Sequence, residues 1–277
     1  MKELARRFMK TDFVKNALKE PLVLEVVQEW TIDSLRRSLK PDGKPRFDEF
    51  IKKLQNGEQI ALSSYIDMFL GFDFKSQVDA ESLEKLEGQP ILILANHTNK
   101  GPMRGQWEHA AISYYVKQNT DKEIRMLHGF DSTATQNLYP EELHRSINSI
   151  PIRDPNPHKS GGFLLEAIRN KDSMLLYPEG DGSANLREAL LESGRLITLC
   201  ANSNINIVTC AARYKNENFF LTFEPISSEK IYEIERQEPN SLLRWKTIAD
   251  YAMETIAQNL PENQRGFYYK PIPRIAA

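Results

Sequence analysis

Two short stretches of the chain carry side chains able to do chemistry. ILILANHTNKGP, beginning at Ile91, is an apolar run that ends on Asn96-His97 and opens into a polar Gly/Pro loop. MLLYPEGDGS, from Met174 to Ser183, has the same plan: an apolar run, then Pro178-Glu179-Gly180-Asp181-Gly182-Ser183. A neutral imidazole accepts a proton from a hydroxyl near neutral pH, so His97 reads as a general base. A lone histidine is as readily a surface or capping residue. What singles out His97 is its place at the end of a buried-strand pattern, with a second loop of the same design elsewhere in the chain. His109, His128, His144 and His158 lack such a setting, although His109 lies close after the first loop.

Loops of this kind need a scaffold that ejects them at one edge. After about residue 88, short β-rich runs alternate with helical stretches, the pattern of an α/β layer fold with a mainly parallel central sheet flanked by helices. Strands are expected at 90–95, 123–130, 150–152, 173–177, 205–214 and 218–223. Helices are expected at 105–117, 140–146, 161–169, 187–201 and 241–259. Groups just past the ends of parallel strands line the functional crevice of such a sheet, so the two loops are expected to meet. Before this region the apolar spacing is helical: Leu22, Val23, Val26, Val27, Trp30 and Leu35, then Phe47, Phe50, Ile51 and Leu54, then Tyr65, Met68 and Phe69. The chain is thus expected to have an N-terminal helical bundle at 1–80 and an α/β domain at 81–277.

Composition sets outer bounds. The 277 residues are 40% hydrophobic and 27% charged, enough for a sizeable core. A net charge of -2 gives no global basic field, and no nucleic-acid partner is expected. No apolar run reaches the roughly 18–20 residues that cross a bilayer, so a lipid substrate would be met from the membrane surface. Lys2, Arg6, Arg7 and Lys10 could touch headgroups there, or form the solvated face of a bundle helix. The two cysteines, Cys200 and Cys210, have no metal-ligand spacing and read as small buried thiols, in keeping with a cytoplasmic protein. No metal and no tightly held cofactor is expected.

LANH at Leu94–His97, SIPIR at Ser149–Arg153, LLYPEG at Leu175–Gly180, EPI at Glu224–Ile226 and LPENQRGFY at Leu260–Tyr268 follow one another in the order of a known family. Over about residues 85–270 the chain resembles the phospholipid/glycerol acyltransferases, which acylate glycerol-3-phosphate and lysophosphatidic acid. The resemblance implies that His97 deprotonates an acceptor hydroxyl, which attacks an acyl thioester of coenzyme A or acyl carrier protein. It implies that Arg153 binds an anionic group of the acceptor, a task suited to a planar fork of donors. The alternative for Arg153 is a salt bridge with neighbouring Asp154. The resemblance further implies that Glu179 and Gly180 shape the acceptor pocket. Asn96 and Ser183, which flank these positions, are counted with the substrate-facing residues.

The chain also departs from the family. The acid that normally stands five positions after the histidine is replaced by Pro102. The first acid after it is Glu108, which either folds back to orient the imidazole or is an ordinary helix-start charge. Asp181-Gly182 stands where the family has Thr-Arg, leaving Lys100, Arg104 or Arg187 to supply a cation. Two readings follow. One is an acyltransferase acting on a glycerolipid-like or other small hydroxyl acceptor, with a thioester donor and peripheral membrane contact. The other is a catalytically degenerate acyl- or lipid-binding protein of the same fold.

Overall fold

The computed structural model describes residues 33, 36, 43–64, 75–98, 107–129, 148–153, 157–180, 182–216 and 218–269. The chain divides into two compact units, residues 74–124 with 165–277, and residues 1–73 with 125–164.

The first of these units holds a sheet of five strands: β1 (Lys75–Asp79), β2 (Ile91–Ala95), β5 (Ser173–Leu176), β6 (Asn206–Lys215) and β7 (Asn218–Ile226), in the order β1-β7-β6-β2-β5. Its neighbours are parallel except β6 and β7, which form an antiparallel hairpin. The hairpin turns at Asn216, whose φ of 51° is tolerable because asparagine accepts the left-handed region. β2 is an interior strand, between β6 and β5. All five of its residues are fully buried, as the unbroken apolar run ILILA requires of a strand covered on both faces. Its register sets Leu94 beside Leu176 of β5 and Ala95 beside Cys210 of β6. Cys200 and Cys210 are buried and free, and burial pushes the Cys200 thiol up to about 12.

Helices cover this sheet: α2 (Glu81–Glu84), α3 (Trp107–Thr120), α5 (Leu191–Asn202), α6 (Ser228–Gln237) and α7 (Ser241–Gln258). α6 begins on Ser227, whose side chain accepts from Lys230 N–H, and α7 begins on Asn240, which accepts from Leu242 and Leu243 N–H. The buried face of α7 carries Ile248, Ala249, Ala252, Met253 and Ile256. α5 crosses α7 closely at Gly194, where a Cβ would lie 1.8 Å from the Trp245 carbonyl oxygen. β1, α2 and α6 are not anticipated from sequence periodicity, because β1 is a short polar segment (KSQVD) and α6 (SEKIYEIERQ) has few apolar residues.

The other unit contains α1 (Lys44–Gln55) and the parallel pair β3 (Ile124–Gly129) and β4 (Ile150–Arg153), with Leu127 beside Ile150. Ile124 itself belongs to the first unit. α4 (Pro157–Asn170) exposes Phe163 and Leu165. The expected helices at 21–40 and 65–69, the short helix at 140–146 and the basic N-terminal segment lie outside the described residues, apart from helical positions 33 and 36. Among the described residues no helix is long and apolar enough to cross a membrane.

Helix α5 starts later than periodicity suggests. Residues 187–190 are expected to be helical, but Leu190 is extended (φ -70°, ψ 140°), and the N–H groups of this segment bond outside it: Arg187 N–H on Glu179, Ala189 N–H on the Tyr268 hydroxyl and Leu190 N–H on the Pro178 carbonyl. The segment is a strap over the second loop.

Candidate active site

His97 stands two residues past the end of β2. Asn96, buried between them, fixes the exit of the strand. Its amide donates to the Ala212 carbonyl at 2.9 Å and its carbonyl accepts from Ala212 N–H at 2.7 Å. That side chain acts as one more rung between β2 and β6, aiming the next residue out of the sheet. Sequence reasoning counted Asn96 with the substrate contacts; both ends of its amide are held by backbone.

Glu108 lies in the first turn of α3 and is fully buried. Its Oε2 is 2.6 Å from His97 Nδ1, and its Oε1 accepts from Thr98 N–H at 2.7 Å. A carboxylate accepts only, so Nδ1 carries the proton and Nε2 keeps its lone pair. Burial pushes the Glu108 carboxyl above its ordinary value, while the His97 ring and the Thr98 N–H favour its charged form. Its position at a helix N-terminus also favours negative charge. The structure therefore brings together a histidine and an acid eleven positions apart. The His97 side chain remains 22% exposed, so the ring is reachable.

Tyr177, the residue after β5, supports the ring from another side, with centroids 4.6 Å apart and planes tilted by 31°. Its hydroxyl is buried with no hydrogen-bond partner among the described residues, and burial raises its pKa well above the ordinary tyrosine value. Tyr177 is not among the site residues expected from sequence. The available signal was an aromatic at the strand end just before Pro-Glu-Gly.

The second loop meets the first directly. Ser183 N–H donates to the His97 carbonyl at 2.9 Å, and Thr98 and Ser183 form a parallel bridge. Gly180 turns the chain with φ of 78°, a conformation in which a side chain would also run into Leu190. Glu179 reaches back to accept from His97 N–H at 3.3 Å and from Arg187 N–H at 2.6 Å. It is 6% exposed, and burial raises its carboxyl to about 7 against the pull of those bonds and of the His97 and Arg187 charges.

The second loop is latched from behind by the C-terminal LPENQRGFY segment. Leu186 N–H donates to the Gln264 carbonyl and Phe267 N–H to the Leu186 carbonyl. The Tyr268 hydroxyl accepts from Ala189 N–H at 2.9 Å and donates to Asp250 at 2.7 Å. Gly266, at φ of 47°, lies so close to Leu186 that a Cβ would be 2.1 Å from its carbonyl oxygen. A cleft remains between the loops, lined among others by His97, Thr98, Glu179, Ser183, Tyr214 and Gln264.

Of the remaining expected site residues, Lys100 and Arg104 lie outside the described residues. Arg153 ends β4 in the other unit, and its side chain is outside the described atoms. Among the described residues no group of three or more His, Cys, Asp or Glu side chains could hold a metal ion.

No family model matches this chain, and no curated protein matches it in sequence. Among solved structures it is similar to the 1-acyl-sn-glycerophosphate (LPA) acyltransferase PlsC from Thermotoga maritima. The two are 11% identical with a TM-score of 0.42, over 86% of this chain and 95% of that one. A likeness at that level decides nothing about chemistry, which has to come from the geometry around His97.

Proposed function

We propose that the protein is an acyltransferase that moves an acyl group from a thioester of coenzyme A or acyl carrier protein to a hydroxyl of a glycerolipid-like or other small acceptor. The observation that carries this reading is the Glu108–His97 pair, which supports the tautomer of a base for an imidazole that lines a cleft. His97 Nε2 takes the proton of the acceptor hydroxyl as its oxygen attacks the thioester carbonyl. Glu108 holds the ring and stabilises the imidazolium that forms. The attack gives a tetrahedral intermediate, whose oxyanion calls for hydrogen-bond donors. When that intermediate collapses, the thiolate leaves and takes the proton held by His97. The products are an ester and a free thiol.

The family resemblance implies that Arg153 binds an anionic group of the acceptor; Lys100 or Arg104 is assigned to supply the cation that Asp181-Gly182 lacks. Ser183 is assigned to the acceptor side of the cleft it lines. Contact with a membrane surface belongs to the same proposal.

The test is thiol release from acyl-CoA or acyl-ACP in the presence of polyol and lysophospholipid acceptors. Wild type is expected to release thiol in step with ester formation, and His97→Ala to lose at least about two powers of ten in rate while keeping its fold. Acyl-chain binding that survives His97→Ala, with no turnover in either protein, would establish the degenerate binding protein instead.

A further inference from the structure

Glu179 stands in the segment expected to shape the acceptor pocket, yet its carboxylate is committed to the protein's own backbone. One oxygen accepts from His97 N–H and the other from Arg187 N–H. These donors belong to different segments: the loop after β2, and the strap 187–190 that leads into α5. Between them Ser183 N–H donates to the His97 carbonyl, so the peptide units on both sides of His97 are held by the second loop. The residue is 6% exposed.

We propose that Glu179 is a positioning residue for His97, a clasp whose ionised carboxylate ties the histidine's backbone to the strap and makes the alignment of the base depend on pH. This deepens the acyl-transfer reading and rests on it only where turnover is concerned. Two N–H donors on opposite oxygens are matched by a carboxylate, which is all acceptor. A protonated carboxyl presents an O–H to one of them and loses that bond. Among the described residues the charged groups that act on the carboxylate are the His97 ring and the Arg187 guanidinium, both of which favour its ionised form, whereas burial opposes it. The balance places the transition at about 7, so the clasp opens and closes within the ordinary working range of pH.

Ionised Glu179 has a second consequence. When Nε2 takes a proton the ring becomes cationic, and a carboxylate bonded to the same residue's backbone stabilises that charge. Closing the clasp therefore both aligns the base and favours its protonated product. The predicted pH profile of the acyl-transfer step rises through neutral pH with the ionisation of Glu179.

The experiment combines backbone protection with kinetics. In 15N-labelled wild-type protein, amide-exchange protection at His97 and Arg187 is expected to rise about tenfold from about pH 6 to about pH 8 after correction for intrinsic exchange. The 13C carboxyl signal of Glu179 is expected to titrate with the same midpoint. In Glu179→Gln, whose amide matches only one of the two donors, protection is expected to be low and flat with pH. Its kcat is expected to fall about tenfold or more with the acceptor KM nearly unchanged. Glu179→Asp is expected to restore part of the pH dependence.

Equal protection in wild type and Glu179→Gln, flat with pH, would overturn the clasp. So would a raised acceptor KM with unchanged kcat, which would make Glu179 a substrate contact. If Glu179→Gln does not fold, the wild-type titration decides alone, since a Glu179 signal that titrates without moving His97 or Arg187 protection defeats the proposal. If the protection behaves as expected and no acceptor ever yields thiol, the clasp stands and the acyl-transfer reading falls.

Discussion

At the scale of single residues, the buried Glu108 decides what His97 can do. Replacing it with glutamine keeps the volume but changes the hydrogen-bond logic. The amide oxygen is drawn to Thr98 N–H, which leaves the amide NH2 facing Nδ1. Nδ1 then becomes the acceptor and Nε2 carries the proton, the wrong tautomer for a base. Glu108→Gln is expected to lower kcat by about 10²–10⁴ with the fold intact, checked by steady-state kinetics together with the 15N shifts of the ring. Tyr177 makes the opposite case. Its ring packs on His97, but its hydroxyl is buried with no partner among the described residues. Removing an unsatisfied group while keeping the ring relieves a penalty, so Tyr177→Phe is expected to be neutral or stabilising by up to about 2 kcal/mol. Urea denaturation would show it, and a loss of more than about 1 kcal/mol would mean that the hydroxyl has a partner.

At the scale of elements, the site depends on contacts made well away from it. The strap 187–190 is held by Glu179 on one side and by Tyr268 on the other. Tyr268→Phe leaves Ala189 N–H buried without an acceptor, a cost of about 1–3 kcal/mol. The loss is expected to appear in the melting curve and as faster exchange of the strap amides. The α5–α7 crossing is more sensitive still. Gly194→Ala places a methyl inside the Trp245 carbonyl. It is expected to cost about 1–3 kcal/mol as the two helices move apart. An unchanged unfolding midpoint would show that this crossing is looser than its geometry implies.

At the scale of the whole molecule, stability and site alignment respond to pH in opposite directions. Glu179 has a folded-state value of about 7, above the ordinary 4.5. A raised carboxyl binds more protons in the folded than in the unfolded chain between those values, so its contribution to stability is complete at low pH and lost as pH rises through about 7. The loss is on the order of 3 kcal/mol, and it falls where the clasp on His97 is expected to close. Wild type is expected to lose stability relative to Glu179→Gln between about pH 5 and about pH 8, measured as the difference between their denaturation midpoints. A difference independent of pH would place the Glu179 carboxyl in its ordinary range.

Local chain chemistry by itself determined much of this protein. ILILA and SMLL are strands because an uninterrupted β-rich apolar run is stable where both faces are covered, and the polar Asn96-His97 and Pro178-Glu179-Gly180 that follow mark where such strands leave the sheet. The long α7 was legible from its apolar spacing, and α/β alternation announced a mainly parallel sheet. What the sequence could not settle was which partners those polar groups choose. Glu108 read equally well as an orienter of His97 or as a helix-start charge, because both uses need the same residue at the same place on α3. Residues 187–190 look helical because periodicity counts apolar side chains, whereas Leu190 is extended and the N–H groups of the segment go to Glu179, Tyr268 and Pro178 from other parts of the chain. Long-range hydrogen bonds of this kind leave no periodic trace. Only the tertiary structure, by burying donors and acceptors together where water cannot substitute, assigns them.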